Sequence, residues 1–280
     1  MASVSHIGYT PPLDVYPGAQ GAWSLRKLAT AWVGPAIRVR RISDGAFQDI
    51  GFSANGDLDT VALLAFMANP TDSLEVETWF DQSGNGNDLR QATILQQPLI
   101  VGAGVIQTAG PNGKPTTVWD GTAVTNNDNM QTAVGWTGFL DGSQFQVQRM
   151  PDGVTDLSGL MFQGQVPGEY YSFYESGNVA DPVDNAGGIA MPASEYWVDN
   201  VQVAPKNRDQ LFQDYGPAGG PGNFHYLAML HLNLTGFTSL KVGQQTIVAP
   251  DGKCSEIIHF NVDYTASRAA ITANQQAYYG

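Results

Sequence analysis

Short runs of alternating apolar and polar residues, broken by Gly, Pro, Asn and Asp every ten residues or so, make up most of this chain. Ile37, Val39 and Arg41 alternate with Arg38 and Arg40, and Cys254, Glu256, Ile258 and Phe260 alternate with Ser255, Ile257, His259 and Asn261. Leu227, Met229 and the run Leu230 to Leu234 read the same way. A period of two is that of a strand with one covered face, and many such runs between turn formers predict a sandwich. Three stretches have helical spacing instead. Ala22 to Val33 places Trp23, Leu25, Leu28 and Trp32 on one stripe before Gly34-Pro35. Leu58 to Ala68 has Asp57 or Asp59 as a cap and Pro70 beyond its end, and Ala266 to Tyr278 has Thr265 as a cap. The expectation is an all-β fold, two antiparallel sheets with a few short helices. Ile37, Val39, Trp79, Ile258 and Phe260 should lie between the sheets. The strand carrying Ile257 and Ile258 should pair near the N-terminal segment.

Composition narrows the function classes. The 280 residues carry 13 Lys and Arg against 26 Asp and Glu, a net charge of −13, which argues against nucleic acid as a partner. Neutral sugars, cations and basic proteins remain compatible. Only 14% of residues are charged, against a usual ~25%, so a large share of the surface is expected to face partners. Cys254 stands alone, which excludes an internal disulfide. The first residues, MASVSHIGYTPPLDVYPG, lack the basic start and apolar run of a secretory signal, and no run reaches the ~20 apolar residues that span a bilayer.

The densest local signal is Trp79 to Leu89, WFDQSGNGNDL, a strand entering a long turn. Gly84 and Gly86 accept positive φ, and the short polar side chains can bond their own backbone. Asp81, Asn85, Asn87 and Asp88 also place four oxygen-bearing side chains within eight positions. They either hold Ca²⁺ or cap the turn, although the spacing of a calcium-binding loop is not met. Around this loop stand YPGAQGAWSLRKLATAWVGPAIRVRRISDGAFQDIGF and GDLDTVALLAFM before it, QPLIV and NGKPTTVWDG after it, and SEIIHFNVDYTASRAAITANQQAYY at the end. In this order the segments resemble the catalytic-domain family of fungal α-L-arabinofuranosidase B and its phage and bacterial relatives. The resemblance covers residues 14–121 and 254–280 and leaves about 122–253 unaligned. It implies a concanavalin A-like, laminin-G-like jelly roll, here one domain over 14–280 behind an arm of residues 1–13.

A retaining glycosidase needs two carboxyl groups about 5 Å apart. The candidates are Glu169, Glu175, Glu195, Asp199 and Glu256, and none falls on a segment that matches the family's catalytic positions. His6, His225, His231 and His259 lack metal-ligand spacing, and there is no nucleophile elbow or phosphate loop. The aromatic stretches EYYSFYE and EYW offer Tyr170, Tyr171, Tyr174, Tyr196 and Trp197 either to the core, to a protein interface or to a sugar ring.

Two readings follow. The favoured one is a non-enzymatic virion structural or adhesion protein of a bacteriophage, a tail fibre, baseplate or capsid decoration. It would be made in the host cytoplasm without a signal peptide. Its partners would be other virion proteins, copies of itself through Tyr9 to Leu13 and Tyr170 to Trp197, and a host-surface glycan; nucleic acid and membrane are excluded. The alternative is an α-L-arabinofuranosidase-like glycoside hydrolase. Neither requires a cofactor other than calcium at the loop.

Overall fold

The computed structural model describes residues 9–120, 128–133, 135–149, 161–164, 170–172, 184–186, 190–203, 224–243 and 252–280. The described strands are β1 Ala19–Ser24, β2 Ile37–Arg41, β3 Phe47–Ile50, β4 Leu74–Trp79, β5 Leu89–Arg90, β6 Leu99–Gly102, β7 Val105–Ile106, β8 Thr108–Ala109, β9 Lys114–Pro115 and β10 Thr117–Trp119. They continue as β11 Met130–Gln131, β12 Gly142–Arg149, β13 Met161–Gln163, β14 Tyr170–Ser172, β15 Asp184–Ala186, β16 Ala190–Val198, β17 Val201–Gln202, β18 Phe224–Leu232, β19 Lys241–Gly243 and β20 Gly252–Phe260. The described α-helices are α1 Pro12–Val15, α2 Thr60–Ala65 and α3 Arg268–Tyr279.

All described pairings are antiparallel. One layer runs β17-β16-β18-β12-β20-β1, with β10 also against β20. The other runs β3-β2-β4-β5-β11-β19-β13-β14-β15. Strand β6 joins the layers by pairing with both β4 and β10. Between them lies the main core, with Trp23, Ile37, Val39, Trp79, Trp119, Phe162, Tyr171, Met229 and Ile257 all buried. The strand carrying Ile257 and Ile258 pairs with β1 as expected (Trp23 opposite Ile257, Ala22 opposite Ile258).

Three expectations need correction. Ile258 and Phe260 are buried, but on the opposite face of β20, with Ala22, Phe145 and Ile271 of α3. Because α3 covers this face, β20 and much of β1 and β12 are buried on both sides. The same double burial explains why Ala22 to Val33 is no helix. Its first residues are the end of β1, and the apolar spacing of Trp23, Leu25 and Leu28 reflects burial on both faces rather than a helical stripe. The expected second helix is α2, capped by the Asp59 side chain accepting from the Ala62 N–H at 2.9 Å. The third is α3, preceded by a 3₁₀ turn at Thr265–Ser267, so Thr265 is not its cap.

Candidate functional site

Cross-strand register builds one row of residues across the second layer, exposed at Arg38, Arg90 and Gln131. Arg38 stands opposite Thr78, Thr78 opposite Arg90, Arg90 opposite Gln131, and Gln131 opposite Lys241. Lys241 in turn stands opposite Gln163, and Gln163 opposite Tyr170. Neighbouring strands are ~5 Å apart, so residues distant in sequence share one surface. Arg90, Gln131 and Lys241 line a cleft of about 500 Å³, with Gln91, Thr93, Gln96, Asn129 and Thr132 completing its polar wall.

Two residues of this cleft, Gln91 and Asn129, belong to a buried hydrogen-bonded network. Arg40 pairs with Glu75 and donates to Gln97 Oε1 at 2.8 Å. Gln97 donates to the Gln91 carbonyl at 2.7 Å, and Gln91 donates to Asn129 O and Oδ1, both at 2.8 Å. Satisfied networks of this kind fix side-chain positions in a low dielectric. Glu75 is half-buried, and desolvation raises its pKa more than Arg40 lowers it. Beside Asn129, the buried Asp128 carboxyl accepts the Asp120 N–H at 2.7 Å. Burial, with lesser repulsion from Asp120 and Glu75, pushes the Asp128 pKa up to about 8, so this acid is protonated at neutral pH. The residues of this cleft were missed by sequence reasoning.

The expected carboxylates go elsewhere. Glu256 faces α3 and takes Arg26 Nε at 2.6 Å and Nη2 at 3.0 Å, with both side chains fully buried. Glu195 accepts from Trp197 Nε1 at 3.1 Å, and Asp199 lies 2.6 Å from His225 Nδ1. The three therefore sit in separate contacts. Glu169 and Glu175 lie outside the described residues.

The aromatics divide similarly. Tyr171 is in the core, stacked on Phe162 with ring centroids 5.2 Å apart, its hydroxyl donating to Gln144 Oε1 at 2.6 Å. Tyr196 is buried in the same core. Trp197 lies on the other face under the Arg268 guanidinium, 3.6 Å from its ring centroid. Tyr171 and Tyr196 are thus structural, not platforms for a ligand. The Tyr170 and Tyr174 side chains lie outside the described residues. Tyr9, expected to lie at an interface, docks on its own chain, its hydroxyl donating to the Lys27 and Gly56 carbonyls at 2.8 and 3.0 Å. His259 is walled by Trp23, Trp136 and Phe162, and burial holds its pKa down to about 3. It is therefore neutral.

The loop after β4 bonds to itself and to β1. The Asp81 carboxylate accepts the backbone N–H groups of Ala22, Ser83 and Asn87, each at 2.9 Å, and the Ser83 hydroxyl at 2.7 Å. Asp88 accepts the Asp81 N–H at 3.0 Å and pairs with Arg90. Asn85 and Asn87 donate to the Ala19 and Gln20 carbonyls at 2.8 and 2.7 Å. All four side chains are used as caps. The loop fixes where β5, and with it Arg90, enters the cleft.

Comparison with known proteins agrees with this fold. Residues 12–125 match the sequence profile of α-L-arabinofuranosidase B, catalytic. The α-L-arabinofuranosidase B of Emericella nidulans is 34% identical over 157 residues, 48% of this chain and 30% of that one. An arabinofuranosidase/β-xylosidase of Trichoderma koningii is 36% identical over 86 residues, 29% of this chain and 17% of that one. The matches thus span about a third or less of these relatives. A crystal structure of an arabinofuranosidase complexed with arabinofuranosyl-α-1,2-xylobiose superposes with TM-score 0.63 at 16% identity, over 96% of this chain and 65% of that one. A GH54 α-L-arabinofuranosidase soaked with a cyclic sulfate inhibitor gives 0.61 at 16% identity, over 96% and 66%. The likeness in fold extends over 96% of this chain, beyond the segments that sequence aligned.

These findings overturn the favoured sequence reading. A non-enzymatic phage protein of tail, baseplate or capsid is not what the chain resembles; the matches point to glycoside hydrolases of the arabinofuranosidase B type.

Proposed function

We propose that this chain is an α-L-arabinofuranosidase-like glycoside hydrolase domain, releasing terminal arabinofuranosyl groups from a glycan. The observation that carries the reading is the agreement of sequence profile and whole-chain fold with arabinofuranosidases. The open cleft of Arg90, Gln131 and Lys241 supports it, since amides and hydroxyls suit a polyol ligand. The row continues in register to β14, the strand flanked in sequence by Glu169 and Glu175. These two carboxyls, with the protonated Asp128, are the first to test as acid and nucleophile, because glycoside hydrolysis needs one of each. Hydrolysis of 4-nitrophenyl α-L-arabinofuranoside by the wild-type chain, lost at least a hundredfold in Glu169→Gln or Glu175→Gln with folding intact, is the expected result. Equal rates in wild type and both variants would remove them from the mechanism.

A further inference from the structure

Lys241 is half-buried at the cleft, and burial alone pulls its pKa below the ordinary lysine value. Among the described residues no hydroxyl, carbonyl or carboxylate pairs with its ammonium. Lys253 likewise has no carboxylate partner among the described residues, but its ammonium donates to the Thr108 carbonyl at 3.3 Å. Arg26, Arg38, Arg40, Arg41 and Arg90 each hold a carboxylate. A partly desolvated cation is costly, and where no described residue supplies its counter-charge, its retention points to one that arrives with a ligand.

We propose that this cleft holds a carboxylate-bearing sugar, a hexuronate unit of the glycan, with its carboxylate between Lys241 and Arg90. The two cations flank Gln131 in one row, two strands apart. Arg90 is 63% exposed and bound to Asp88 through Nη2 at 2.9 Å, so its other guanidinium donors remain for the ligand. The remaining wall is polar, with Gln91, Thr93, Gln96, Asn129 and Thr132; Gln91 and Thr132 already bond Asn129 and Leu240, so the exposed Thr93 and Gln131 are the groups that face ring hydroxyls. A volume of about 500 Å³ accommodates one or two sugar rings. The site is thus a cationic spot on an acidic protein. The net charge of −13 suggested neutral ligands, but local placement outranks it, because salt screens distant charges beyond ~8 Å at physiological ionic strength. The choice of a sugar acid as ligand rests on the hydrolase reading above.

The test is a titration of the full chain with methyl β-D-glucuronoside and, separately, methyl β-D-glucoside, followed by NMR chemical shifts. The glucuronoside should bind at least tenfold tighter, and the preference should shrink when NaCl is raised from 50 to 500 mM. Lys241→Met should abolish the preference, and Lys241→Arg should keep part of it, at unchanged melting temperature. Equal binding of the two glycosides, or a preference that survives Lys241→Met, would overturn the proposal, as would inorganic phosphate displacing the glucuronoside at equal concentration. Hydrolysis of the neutral aryl arabinofuranoside by the same preparation reports the parent reading separately. Glucuronoside binding without hydrolysis sinks that reading and keeps the subsite; hydrolysis without glucuronoside preference sinks the subsite alone.

Discussion

Arg26 and Glu256 form a two-pronged ion pair, at 2.6 and 3.0 Å, with no solvent access to either side chain. Gln275 of α3 and Ser24 of β1 also donate to the Glu256 carboxylate, at 3.1 and 2.9 Å. The guanidinium is surrounded by the rings of Tyr9, Tyr278 and Tyr279, with centroids 5.1, 5.0 and 5.6 Å away. The pair therefore ties the N-terminal segment, both central strands and the last helix at one point. Its net worth over an apolar filling is small, but removing one partner strands the other charge. Glu256→Gln should destabilise the fold by about 3–5 kcal/mol. The melting temperature should fall by ~10 °C, at roughly 2–4 °C per kcal/mol for a chain of this size. A thermal melt within 2 °C of wild type would contradict this assignment.

The Asp81 loop makes a second prediction. Three backbone N–H groups and a hydroxyl depend on one carboxylate, although burial raises its pKa. Asp81→Ala should cost about 2–4 kcal/mol, since each orphaned buried donor costs ~1–3 kcal/mol and some find water. Chelation with EDTA should leave the melting temperature of the wild type unchanged. A fall on chelation that disappears in Asp81→Ala would show that the loop holds calcium instead.

Asp128 gives the protein a pH dependence. Its folded pKa, about 8, lies above the ~3.9 of an unfolded aspartate. Below pH ~4 both states are protonated and the group costs nothing. As pH rises from ~4 to ~8 the unfolded state ionises first, so stability is lost over that window. Asp128→Asn preserves an oxygen to accept the Asp120 N–H and removes this loss. The variant should melt several degrees above wild type at pH 8 and within a degree of it at pH 4. Equal melting at both pH values would show that Asp128 is ionised in the fold.

Sequence patterning revealed the sandwich because one-sided strands such as β4 keep a period of two, with Leu74 and Val76 buried and Glu75 and Glu77 less so. It failed where both faces of a strand are covered. In β12, Phe145 and Val147 face α3 while Gln144, Gln146 and Gln148 are buried toward the other layer, so polar residues there do not mark a surface. In β1 the same covering mimicked a helix. The turn at Asp81 was legible because its bonds are mostly local. The cleft was not, because β5 and β11 are two residues long and Arg90, Gln131 and Lys241 meet only through register. That no described residue pairs with the Lys241 ammonium has no signature in sequence at all.

The central claim is that the chain hydrolyses arabinofuranosyl linkages. The direct measurement is an NMR time course of the purified full chain with an arabinofuranosyl-substituted xylo-oligosaccharide, following the anomeric protons. Hydrolysis predicts free arabinose appearing in step with an intact, unsubstituted xylo-oligosaccharide, and no product from an arabinopyranosyl control. A folded chain, verified by its cooperative melt, that releases no arabinose above the enzyme-free blank at any pH from 4 to 8 would contradict it.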